Sequence, residues 1–246
     1  MPLGLDLYFF LDFRPCLYKL INTKYHPRIL FWWDSFHTMF SILSQTALVF
    51  DKVYLAEMPD AQHLRGMGFS NAEWLPGAFY PGLYKPEKTL SKVHDFSFIG
   101  QFDDIVIRKG LTRKNMLEKL SYSFSGFRGN SVRGPFVNQV YNESKILIER
   151  TIYCNIGTRL FELVGSGGFA LINKYPCSNG LENIGLDGVH FVTYDESWED
   201  LFYKMNYYLK NEEERIKIAK QGYDFFIKNH TYAHRLAKIF KDFKLI

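Results

Sequence analysis

The sequence predicts an α/β protein with parallel sheets, arranged as a short first domain and a complete doubly wound second one. Three observations carry that prediction. Short apolar runs ending in Asp or Gly alternate with stretches of helical spacing, the pattern of a parallel sheet covered on both faces. A segment rich in proline and glycine, residues 75–90, interrupts the alternation. Beyond it the alternation restarts and continues long enough to close a second hydrophobic core.

The elements follow in order. Residues 5–11 are an apolar run ending at Asp12, and residues 28–33 a second run ending at Asp34; both read as buried strands. Helical spacing continues through Phe40, Leu43 and Leu48. Residues 52–56 read as a third strand, and 62–68 as a short helix closed by glycine. After the interruption, 95–100 is a strand ending in glycine, 109–120 a helix and 122–126 a strand leading into a glycine-rich loop. A helix around 136–144 feeds the strand 145–148, and a helix over 158–164 feeds the strand 169–173. A short strand covers 190–193, and the helix 197–209 presents Trp198, Leu201, Phe202, Met205 and Leu209 on one face. Two more helices follow, the last with Leu236, Ile239, Phe240 and Phe243 along one side. The domain reading is 1–85 for the first unit with a linker at 75–92, 93–228 for the second, and 229–246 for a C-terminal helix.

Composition excludes several function classes. Of the 246 residues, 47% are hydrophobic and 23% charged, the balance of a folded globular chain. A net charge of +4 spread along the sequence suits an anionic ligand but gives no basic stripe for nucleic acid. Cys16, Cys154 and Cys177 are too far apart for a zinc motif or a disulfide framework. His230 and His234 have a spacing compatible with zinc, but no third ligand is evident. No run reaches membrane-spanning length, and a cytoplasmic location is the expectation.

The densest chemical signal lies between Asn155 and Phe169. Arg159 and Glu162, three residues apart, share one face of a helix that starts just beyond a buried strand. A parallel sheet presents ligands at that edge, and the helix N-terminus adds free N–H groups and a partial positive charge. Arg159 can grip phosphate oxygens with two donors, and Glu162 can accept from a ribose diol. Spacing alone equally allows a solvated ion pair, with Gly165, Gly167 and Gly168 merely ending the helix.

Asn155, Arg159, Phe161, Glu162, Gly167 and Gly168 in this spacing resemble the signature helix of the CgeB-like (spore maturation protein) glycosyltransferases. These are a branch of the group-one glycosyltransferases with the GT-B fold. Further segments fall in the same order as in that group. They are Trp33, Asp34 and His37, then Leu75 to Ala78, Asp95 to Gly100, and Tyr141 to Ile146. The run continues with His190 to Tyr194, and ends with His230, Thr231, Tyr232 and Arg235.

The resemblance implies a GT-B-like protein, a partial N-terminal Rossmann-like domain followed by a complete nucleotide-sugar-binding one, with the last helix packing back on the first. It implies transfer of a sugar from a nucleoside-diphosphate sugar to a glycan, lipid or protein acceptor, with no metal and no further cofactor. Donor-binding residues would be Gly100, Arg113, Arg128, Asn155, Arg159, Glu162, Gly167 and Gly168, with Arg108 a further candidate for the phosphates. Asp34 and His37, at a strand end in the first domain, are the candidates for catalytic base or acceptor contact; the pair also reads as a helix cap and its first turn. Two departures stand out. The first of the broader family's two glutamates falls here on Cys154, and the glycine-rich opening of the N-terminal domain has no counterpart near Met1. Both point to an alternative, a non-catalytic nucleotide-sugar-binding module or an inactive remnant acting through a partner, with a protein partner or oligomer covering the shortened domain.

Overall fold

The computed structural model describes residues 8–11, 24, 26–32, 47–102, 112–130, 132–151, 155–174 and 178–245. The chain divides into two compact units, one of residues 1–77 with 235–246 and one of residues 78–234.

The first unit holds a parallel sheet of β1 (Tyr8–Leu11), β2 (Arg28–Trp32), β3 (Lys52–Leu55) and β4 (Ala72–Trp74), in that order across the sheet. Alternate side chains feed two cores. Leu30, Trp32, Val53 and Leu55 pack with Leu64 of α1 (Met58–Gly66) on one face. Ile29, Phe31 and Tyr54 pack with Leu75 and Ile239 on the other. Every position of β2 is therefore buried, as a strand covered on both sides requires. Helix α1 begins earlier than the predicted 62–68, because Pro59 in its first turn carries the fixed φ that suits a helix start. The three-residue β4 escaped prediction.

The second unit contains β5 (His94–Ile99), α2 (Arg113–Ser123), β6 (Gly126–Gly129), α3 (Pro135–Glu143), β7 (Ser144–Glu149) and α4 (Thr158–Gly165). It continues with β8 (Phe169–Asn173), α5 (Leu181–Ile184), β9 (Val192–Tyr194), α6 (Trp198–Lys210) and α7 (Glu212–Asn229). Helix α8 (Tyr232–Asp242) follows, and from Arg235 onward it belongs to the first unit. There the Arg235 guanidinium donates to the carbonyls of Pro76 and Gly77, and Lys238 pairs with Glu73 at 2.6 Å.

All five strands of the second sheet are parallel, in the order β6-β5-β7-β8-β9. Successive connections leave β5 toward β6 on one side and toward β7 on the other. The gap between the carboxyl ends of β5 and β7 is thus a topological switch point, where open α/β sheets bind ligands. Phe96, Phe98, Ile146 and Ile148 bury one face against Met116, Leu120, Leu201 and Met205.

One strand is corrected. Residues 122–126, predicted as a strand, are split between the end of α2 and the start of β6. Thr112 caps α2 by accepting from the Asn115 amide, and Phe124 N–H still donates to the Leu120 carbonyl, so the helix overrides the aromatic β propensity of its last turn. Asp34, His37, Arg108, Cys154 and the helical stretch through Phe40 and Leu43 lie outside the described residues. Among the described residues no helix is long and apolar enough to cross a membrane.

Candidate functional site

Helix α4 is strongly two-sided. Leu160, Phe161, Leu163 and Val164 are buried, and Arg159 and Glu162 are left on the remaining face. Its N-cap is Gly157, with no side-chain cap; the Leu160 amide donates to the Gly157 carbonyl, and no side chain caps the amides before it among the described residues. The strand before it, β7, runs apolar until Glu149, whose side chain is only 2% exposed. That carboxylate accepts from Arg159 Nη1 at 3.1 and 3.2 Å. Arg159 itself is 23% exposed and lies over the Phe98 ring at 5.4 Å. Burial disfavours the charged guanidinium, but Glu149 outweighs it and holds the Arg159 pKa above its ordinary value.

Gly100 closes β5 with φ +154, and a Cβ there would lie 2.5 Å from Arg159 Nη2. Only a glycine lets this guanidinium lie against the strand end. Gly100 and Arg159 are therefore brought together at the switch point.

Glu162 sits one turn further along and meets the Tyr84 hydroxyl. Burial raises its pKa from the ordinary carboxylate value, against the opposing pull of the Tyr84 hydrogen bond and of Arg159. Tyr84 is raised as well, first by burial and then by the Glu162 charge. The segment carrying Tyr84 was read as a linker, yet it is pinned to α3. Asn138 Oδ1 accepts from the Lys85 amide at 3.1 Å, and Asn142 Oδ1 from the Glu87 amide at 2.7 Å. Asn142 Nδ2 donates to the Lys85 carbonyl at 3.0 Å, and the Tyr84 ring stacks on the buried Tyr141.

These groups line one cavity of about 410 Å³, within the usual range for a small-molecule site. Its walls include Gly100, Arg159, Glu162, Tyr84 and, from the loop after β6, Asn130 and Arg133. Arg133 has no carboxylate partner among the described residues. The arrangement offers an anion two guanidinium groups and a helix N-terminus, and offers a diol the Glu162 carboxylate.

Other predicted residues go elsewhere. Arg113 is buried and donates through Nε to the Arg150 carbonyl at 2.8 Å and through Nη1 to the Gln101 carbonyl, bracing the ends of β5 and β7 rather than facing the cavity. Arg128 is exposed on the edge strand β6, outside the cavity lining. Asn155 precedes α4, half-buried and also outside that lining. Gly167 and Gly168 lie beyond the far end of α4, where a Cβ on Gly167 would meet Pro86 Cγ at 2.6 Å and one on Gly168 would meet Leu147 Cδ1 at 2.1 Å. Their role at that end is close packing, and they do not reach this cavity.

Glu149, Tyr84 and Arg133 were not singled out from the sequence. Glu149 had a visible signal, a lone acid closing an apolar strand. Arg133 had a weaker one, a basic residue in the glycine-rich loop. Tyr84 had none, because its place depends on the asparagine clamp from α3.

A family model described as glycosyl transferase-like matches residues 111–241. No curated protein matches the sequence. Similar solved structures include a sucrose-phosphate synthase from Thermosynechococcus elongatus, at TM-score 0.70 and 9% identity over 99% of this chain and 74% of that one. HepE of Anabaena in complex with UDP-glucose aligns at TM-score 0.65 and 12% identity, over 89% of this chain and 73% of that one. An alpha-glucosyltransferase in complex with UDP and a 13-mer DNA aligns at TM-score 0.61 and 9% identity, over 98% and 81%. At such identities the likeness establishes the fold, two parallel-sheet domains of the GT-B type.

Proposed function

The chain belongs to the glycosyl transferase-like family, and from that premise we propose that it transfers a sugar from a nucleoside-diphosphate sugar to a glycan, lipid or protein acceptor. Its finer place is the CgeB-like group, working in the cytoplasm without a metal. The observation that carries this reading is the meeting of Gly100, Arg159, Glu162 and Tyr84 around one cavity at the switch point of the second sheet.

In this reading the Glu162 carboxylate accepts from the ribose hydroxyls, while Arg159, Arg133 and the first amides of α4 hold the diphosphate. Transfer breaks the bond between sugar C1 and the diphosphate oxygen. The electron pair leaves with the diphosphate, where these cations stabilise the developing charge. The acceptor hydroxyl oxygen forms the new bond to C1 and passes its proton to the departing diphosphate. HepE was solved with UDP-glucose, which supports a uridine donor as the first to try.

A binding-only role is favoured by one observation: the Arg159 charge is already matched by Glu149, which leaves less of it for a leaving group. An assay of diphosphate release from UDP-, GDP- and dTDP-sugars decides between the two. The enzyme reading expects release with one nucleotide, reduced about tenfold or more by Glu162→Ala. Tight donor binding without release from a folded, monodisperse sample would leave the binding module standing instead.

A further inference from the structure

Gly167 and Gly168, left out of the donor cavity, line a second and larger one. A cleft of about 580 Å³ opens where β7 and β8 begin, walled by Lys145, Phe169 and the outer face of α7. The donor cavity lies at the opposite ends of the strands. The six residues of β7 put the two edges about 15–20 Å apart.

The cleft combines an apolar floor with a cationic rim. Ile216 on α7 is 56% exposed, and Leu90 and Tyr223 extend the same apolar surface along the cleft. Five cationic side chains face two carboxylates across it. Most are already matched: Arg215 pairs with Glu212 at 3.0 Å and donates to the Tyr208 carbonyl, Lys145 pairs with Asp95 at 2.9 Å, and Lys220 reaches Asp224. Glu87 lies 3.7 Å from Lys85. Lys88 and Lys92 have no carboxylate within ion-pair distance among the described residues. Gly167, at φ +77, lets Pro86 close against the end of α4 and so shapes the wall of the cleft.

We propose that this cleft is a second ligand site, taking an organic phosphate whose apolar body rests on Leu90, Ile216 and Tyr223 while its head group meets Lys88 and Lys92. The charge balance favours a dianion, and the exposed apolar floor favours one that carries a hydrophobic or ring-bearing body. The site is separate from the donor cavity and does not depend on the reading of that cavity.

Phenyl phosphate, titrated by calorimetry, tests it. The background is Arg133→Glu, which repels anions from the donor cavity and leaves the cleft intact. Saturable binding is expected there, weakened about tenfold or more when Lys88→Glu and Lys92→Glu are added, with an unchanged circular dichroism spectrum. Ile216→Asp is expected to weaken phenyl phosphate as well, and inorganic phosphate to bind several-fold less tightly than the phenyl ester. No saturable binding to the folded Arg133→Glu protein would overturn the proposal. So would affinity indifferent to the lysine changes, or inorganic phosphate binding as well as phenyl phosphate.

Discussion

Arg159 and Glu149 form the most consequential pair in the second unit, because one member is almost wholly buried. Removing the guanidinium strands a carboxylate that is 2% exposed. Arg159→Met is therefore expected to destabilise the protein by about 3 kcal/mol, the lower end for a buried pair because the arginine keeps some solvent. Adding Glu149→Gln should recover much of that loss, which urea denaturation of the single and double variants would measure. Glu162 behaves in the opposite sense. Its pKa is raised in the folded chain, so the contribution it makes to stability is fully present below the ordinary carboxylate range and is lost as pH rises through the raised value. At neutral pH, Glu162→Gln should then raise the melting temperature of the unliganded protein, with the gain shrinking as the pH falls through the raised value and gone below the ordinary carboxylate range. A lower melting temperature at pH 7 would mean that Glu162 is better partnered than its surroundings indicate. Arg159 and Glu162 were legible in the sequence because helical spacing puts them on one face. Glu149 and Tyr84 were not, because the first reaches Arg159 from a different element and the second is set by side chains some fifty residues away.

At the scale of elements, the signature helix is fixed by its neighbours at both ends. A Cβ on Gly165 would lie 2.4 Å from the ring of Phe79, which is fully buried. Gly165→Ala should cost about 1–3 kcal/mol by overpacking, a loss to be read from the urea midpoint. Phe79 also pairs with the chain at the end of α7: its amide donates to the His230 carbonyl, and its carbonyl accepts from the Tyr232 amide. Pressure on Phe79 therefore reaches more than one element. Most strands were readable because parallel strands buried on both faces are short apolar runs bounded by Asp or Gly. Edge elements were less so. β6 is the run Gly126–Gly129, whose two glycines carry no β preference, and it forms only because β5 offers it a partner. β4 and α5 are too short for any periodicity to register.

For the molecule as a whole, a single ligand should stabilise the unit that holds its site and not the other directly. A nucleoside diphosphate at a hundredfold excess over its Kd adds about 2.7 kcal/mol to the unit of residues 78–234. Scanning calorimetry with and without the ligand should show that unit's transition move upward by several degrees. Whether the cavity beside α4 binds a nucleoside diphosphate through Glu162 is decided by isothermal titration of UDP, GDP and dTDP into the wild type and Glu162→Ala. Saturable, micromolar binding of one of the three is expected, with a loss of about 1–3 kcal/mol in the variant. Binding that is identical in the two proteins, or none at all to a folded sample, would contradict that expectation.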